Sequence, residues 1–125
     1  MTGLLDRLWI GLGALAGLTG VAMAALAAHG LSRLDPAALR MVESAVRMQG
    51  WHAPALVLTG IWAGRGGRLA QLAGAAFALG LLLFCGAVYS LALRGVSWGV
   101  AAPAGGILLM LGWALLGLSA LRPAR

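Results

Sequence analysis

LWIGLGALAGLTGVAMAALAAHGL, residues 8–31, decides the fold. No charged residue interrupts it, and a helix of that length crosses a hydrocarbon layer about 30 Å thick, which takes about 20 residues. Leu69–Leu93 and Gly99–Leu121 repeat the pattern, again without a charge. A fourth apolar stretch, Val46–Ala63, is shorter and carries Arg47, Gln49 and His52 near its start. It reads as spanning, because the chain needs a way back across, and its missing length comes from the helix before it.

Working outward, the connections are short. Gly64-Arg65-Gly66-Gly67-Arg68 is a polar turn, and Arg94-Gly95-Val96-Ser97-Trp98 is a second one. Asp35-Pro36 reads as a helix N-cap followed by the first helical residue. Beyond it Arg40, Glu43, Ser44 and Arg47 share one face, with Leu39, Val42 and Val46 largely opposite. The expected fold is all-α: a polytopic membrane protein forming an antiparallel four-transmembrane-helix bundle, with a short amphipathic helical extension before helix 2. The spans fall at about 8–31, 46–63, 69–93 and 99–121 of one domain covering 1–125.

Composition agrees. The chain has 125 residues, 62% hydrophobic and 10% charged, with a mean hydropathy of +0.95, whereas a soluble domain carries about 25% charged residues. The net charge of +6 comes from nine basic residues, all arginine, against three acids. The arginines sit at segment ends, the pattern of membrane flanks rather than of nucleic-acid binding. Arg7, Arg65, Arg68, Arg122 and Arg125 fall on one side and Arg33, Arg40, Arg47 and Arg94 on the other, which favours cytoplasmic termini. Cys85 is the single cysteine and leaves the redox compartment open. Ala25-Leu26-Ala27 resembles a cleavage site, but the apolar run outlasts the usual ~7–15-residue signal core, so the expectation is an uncleaved first span.

Small residues recur at helical spacing. Gly13, Gly17 and Gly20 in the first span, Gly60 and Gly64 in the second, Gly74 in the third and Gly105 and Gly106 in the fourth are expected at helix contacts, since helices in lipid meet through close backbone approach.

Intramembrane polar residues are costly and mark candidate sites. His29 ends the first span. Gln49 and His52 open the second, Cys85 and Tyr89 lie four apart on the third, and Trp98 and Pro103 begin the fourth, where Pro103 is expected to loosen the helix. In an up-down bundle these ends adjoin, so His29, Gln49, His52, Cys85 and Tyr89 are expected to form one ligand-binding pocket. Its ligand is open: copper or zinc on His29, His52 and Cys85, bis-histidine haem, or a lipid or quinone head group. The plainer alternative is that the histidines only bond to backbone, to Gln49 or to water, with Tyr89 and Trp98 in an aromatic belt and Cys85 a small hydrophobe. No catalytic residue, metal or cofactor is assigned. The acids Asp6, Asp35 and Glu43 all fall outside the expected spans, so a carboxylate dyad or proton relay is not encoded. No nucleophile elbow, phosphate loop or Cys-x-x-Cys pair occurs. The chain is expected not to be an enzyme.

Four ordered motifs carry a resemblance. Ala27-Ala28-His29-Gly30-Leu31, Gln49-x-x-His52-Ala53, Gly80 to Tyr89, and Pro103-x-Gly105-Gly106 with Gly112-Trp113 resemble signatures of the YgdD-like family of small four-span membrane proteins, whose activity is unknown. Cys85 and Ala87 replace serines of that pattern and Ala102 replaces a threonine, removing hydroxyls from the expected pocket. The resemblance implies fold and a membrane location. The lack of encoded chemistry and the extensive small-residue faces lead to the expectation of an accessory or scaffold subunit of the bacterial inner membrane, in contact with lipids and with another membrane protein or itself. The alternative is a binding protein with a histidine-lined site for metal, quinone or lipid head group. A small channel or transporter is the weaker third reading, because no charged residue lies deep within a span and four short helices enclose little lumen unless the chain oligomerises.

Overall fold

The computed structural model describes residues 3–122; Arg125, counted above for orientation, lies outside them. Three helices follow in order: α1 (Leu4–His29), α2 (Pro36–Arg94) and α3 (Ala101–Leu121). Each is long and apolar enough to cross a membrane.

Local chemistry sets the ends. At α1 the Asp6 carboxylate turns back to accept the Gly3 N–H at 3.1 Å, satisfying one of the orphan donors of a first turn. At α2 the Asp35 carboxylate accepts from Ala38 N–H at 2.7 Å, and Pro36 occupies the first turn, where its missing N–H costs nothing. Gly95 closes α2 in the left-handed region at φ 66. Its N–H bonds Leu91 O, and the Val96 N–H bonds Ser90 O, the paired bonds that commonly terminate a helix. Pro103 is the third residue of α3. It therefore sits in the first turn and starts the helix instead of loosening it.

The expected four-transmembrane-helix bundle is corrected here. Among the described residues there are three helices and three candidate spans, and no separate fourth helix. The turn expected at Gly64–Arg68 is not a separate connector of five residues, because helix runs up to Gly67 and resumes directly beyond it across a kink. Only Gly67 departs, at φ 63 and ψ −146, a conformation essentially restricted to glycine. The chain reverses there within one 59-residue element. Its arms, 36–66 and 68–94, lie side by side, with the His52 and Phe77 rings 5.7 Å apart. The extension before the second span forms the first turns of α2. It continues unbroken into that span, with Val42 and Ala45 fully buried.

α1 runs antiparallel to the first arm, and α3 runs antiparallel to the second. α1 and α3 each pack on α2 and do not touch one another. The core is Trp9, Ala45, Ala55, Leu56, Ala73, Phe77, Leu81, Cys85 and Leu109. Backbones approach closely where side chains vanish. A Cβ at Gly13 would stand 2.7 Å from Ala53 O, at Gly60 2.5 Å from Asp6 O, and at Gly105 2.5 Å from Phe84 N. Gly74 lies under the Trp9 ring, Gly20 lies against Gln49, and Gly17 meets Ala53 Cβ at an ordinary 3.8 Å. Gly64 and Gly106 face open space. Gly3, the Gly67 corner and the end of α3 lie at one end of the molecule, since Asp6 packs on Gly60 and Trp62 bonds Ser119.

Candidate functional site

Gln49 projects from the first arm of α2 and is 7% exposed. Its amide nitrogen donates to Ala16 O at 2.9 Å and to Thr19 Oγ1 at 2.6 Å. Tyr89, on the second arm, donates its hydroxyl to Gln49 Oε1 at 2.8 Å. Thr19 passes its own proton to Leu15 O at 2.9 Å. One side chain thereby joins α1 and both arms of α2, where an unpaired amide facing hydrocarbon would cost several kcal/mol, about 4–8 on the cyclohexane scale.

His52 lies on the other flank, buried among Phe77 and Trp113. Its Nδ1 is 2.6 Å from Met48 O, and Trp113 Nε1 donates to its Nε2 at 3.0 Å. A carbonyl only accepts and an indole N–H only donates, so the proton sits on Nδ1 and the Nε2 lone pair points at Trp113. Neither nitrogen is free for a metal. Cys85 is buried, its thiol directed at Ala45 O at 3.5 Å. Among the described residues no three His, Cys, Asp or Glu side chains are grouped to hold a metal ion.

The structure brings Gln49 and Tyr89 together, with Cys85 on the same groove wall, but it does not bring His29 to His52. Gly17 stands opposite Ala53, so His29, twelve residues further along α1, is about 18 Å higher on the helix axis. It is exposed at the helix end. The adjacency expected from sequence fails because α2 begins at Pro36, well before Met48, and His52 therefore lies several turns inside the helix.

Three polar features went unnoticed in the sequence. α1 starts at Leu4, so Asp6 lies in its first turn, 5% exposed. Gln71 donates to Asp6 Oδ1 at 2.6 Å and accepts from Trp9 Nε1 at 2.7 Å, a second interhelical network at the opposite end from Gln49. Trp62 donates to Ser119 Oγ at 2.9 Å. The signal available was Gln71, an uncharged polar residue within an apolar run.

Between α1 and the second arm of α2 runs a groove of about 840 Å³. Leu12, Leu15, Ala16, Thr19 and Met23 form one wall and Ala75, Ala78, Leu79, Leu82, Cys85 and Tyr89 the other. Leu56 and Leu81 floor it, Trp9 closes one end, and Gln49 lies near the other. Its surface is nearly all hydrocarbon. A smaller hollow, lined by Met48, Trp51, His52 and Trp113, opens on the α3 side.

Comparison with known proteins places the chain. Residues 23–106 match a family described as a protein of unknown function, DUF423. The chain belongs to this family. A UPF0382 membrane protein of Haemophilus influenzae is 36% identical over 104 residues, covering 80% of this chain and 82% of that protein. A UPF0382 membrane protein of Staphylococcus haemolyticus is 35% identical over 115 residues, covering 90% and 94%. No solved structure matches the chain significantly. With relatives that are membrane proteins and three apolar helices of spanning length, this DUF423 chain is a membrane protein. The narrower YgdD-like name and its four spans do not come with the match.

Proposed function

We propose that this DUF423 protein is a non-enzymatic accessory protein of the bacterial inner membrane that seats a lipid hydrocarbon chain between α1 and the second arm of α2. The observation that carries the reading is the groove itself: about 840 Å³, walled by aliphatic side chains from two helices and floored by buried Leu56 and Leu81. Away from the Thr19–Tyr89 end water has no polar partners along such walls, and an unfilled slot forfeits dispersion contacts on both sides. A hydrocarbon chain supplies them. The sequence likeness to YgdD-like proteins is compatible with this reading. Gly3 and the end of α3 share one end with Arg7, Arg65, Arg68 and Arg122; with Arg125, which follows in sequence, the count is five against four, and on the arginine rule we read that end as cytoplasmic.

The test is photolabelling of the full chain in lipid nanodiscs with a diazirine-bearing fatty-acyl probe. Saturable labelling confined to residues 12–23 and 75–89 supports the proposal. Labelling spread evenly over the lipid-facing sides of α1 and α3 refutes it.

A second reading is favoured by a separate observation. α1 and α3 leave large aliphatic faces uncovered, including Leu18 at 69%, Val21 at 72% and Met110 at 66% exposure. These faces suit a partner membrane protein or a second copy as well as lipid. Purification in mild detergent with quantitative recovery of one stoichiometric partner supports an accessory subunit; recovery of the chain alone argues for lipid as its neighbour.

A further inference from the structure

We infer that the lipid chain held in this groove ends in a hydroxyl, a hydrogen-bond donor, rather than in a carbonyl or ether. The inference rests on the lipid-chain reading above and specifies the ligand's polar end.

The direction of every bond in the Gln49 cluster is fixed. Ala16 O can only accept, so the Gln49 amide nitrogen faces it and Oε1 faces Tyr89. Tyr89 must then donate. The second amide hydrogen goes to Thr19 Oγ1, and the threonine proton goes to Leu15 O. The Cys85 thiol, on the same wall, is directed at Ala45 O. Every donor that the cluster turns towards the groove is therefore spent within the protein. What remains is acceptor capacity: the lone pairs of Tyr89 Oη and the remaining one on Thr19 Oγ1.

Both residues line the groove, Thr19 exposed and Tyr89 half-buried. A ligand carbonyl or ether meeting this wall would set lone pairs against lone pairs. A hydroxyl would donate to Tyr89 Oη and complete it. The depth fits such a group. Tyr89 lies five residues before Arg94, about 8 Å below the end of α2, and exposed Arg40 and Arg94 lie beyond the Gln49–Tyr89 pair towards that end, where arginine flanks face head groups. From that point the α1 wall from Thr19 down to Trp9 offers about 15 Å of largely apolar track.

The same photolabelling assay tests this by competition. Tetradecanol is expected to displace the probe about fivefold better than tetradecyl methyl ether, the worth of one hydrogen bond. Geranylgeraniol and its methyl ether form the isoprenoid arm; the more potent alcohol identifies the chain type, and an alcohol advantage in either arm supports the hydroxyl. Tyr89→Phe should erase that advantage while labelling persists. Ala78→Phe, which fills the groove and leaves the cluster alone, should abolish labelling and serves if Tyr89→Phe fails to fold. Saturable labelling at which alcohol and ether compete equally in both arms overturns the hydroxyl inference and leaves the groove reading standing. Labelling that no alcohol or ether reduces overturns both.

Discussion

The Tyr89 hydroxyl donates to Gln49 Oε1 across the two arms of α2, at 2.8 Å. The residues are forty positions apart, and their contact exists only because the chain reverses at Gly67. Interhelical hydrogen bonds within membranes average about 0.6 kcal/mol and reach about 1.7. Tyr89→Phe should therefore cost about 1 kcal/mol, and Gln49→Leu about 2 because three bonds are lost. In a double-mutant cycle measured by reversible unfolding in mixed micelles the pair should couple by about 1 kcal/mol. Strict additivity would show that the bond does not form in the membrane.

His52 should resist metal. With Nδ1–H engaged by Met48 O and Nε2 accepting from Trp113, imidazole ¹⁵N spectra should report one tautomer, protonated at Nδ1. Trp113→Phe should shift the Nε2 resonance alone. Treatment with a chelator should leave the thermal midpoint unchanged; a fall on chelation, restored by zinc, would reverse this reading.

The glycines should divide by what surrounds them. Gly105→Ala places a Cβ 2.5 Å from Phe84 N and should destabilise by about 1–3 kcal/mol, the usual cost of overpacking. Gly64→Ala meets open space and should be neutral or stabilising by up to about 1 kcal/mol through helix propensity. Gly67→Ala forces a side chain into φ 63, ψ −146 and should cost about 1–3 kcal/mol. Thermal unfolding of the three variants separates close approach from backbone strain from neither.

Gln71→Leu should destabilise the end opposite Gln49 by about 1–3 kcal/mol, because it strips a donor from the buried Asp6 carboxylate and leaves Trp9 Nε1–H without its acceptor. Hydrogen exchange should accelerate first at the start of α1 and around Gln71. Uniform exchange across the chain would assign the network no local role.

Much of the architecture is legible in residue order alone. Uncharged runs of more than 20 residues dictate helices in lipid, because only internally bonded backbone is tolerated there. Asp35-Pro36 and Gly95 mark where α2 begins and ends for reasons confined to one turn. The reversal is less legible. A Gly-rich, arginine-bearing stretch reads as a loop, yet the helix continues to Gly67 and resumes beyond it, since a single residue with positive φ suffices to turn the chain. His29 was misplaced for a related reason. Its distance from His52 depends on where α2 begins relative to α1, and sequence spacing does not reveal that register.

Composition and periodicity therefore determined that this chain is helical, membrane-embedded and built with close helix contacts, because these follow from the solvent and from one-turn geometry. The tertiary structure decided which polar groups meet. Gln49 with Tyr89 and Thr19, His52 with Trp113, and Gln71 with Asp6 and Trp9 each join residues at least thirty positions apart. Their pairing is set by the rotation and register of one helix against another. The groove between α1 and the second arm of α2 has the same origin, since it is a gap between surfaces and belongs to no single segment of the chain.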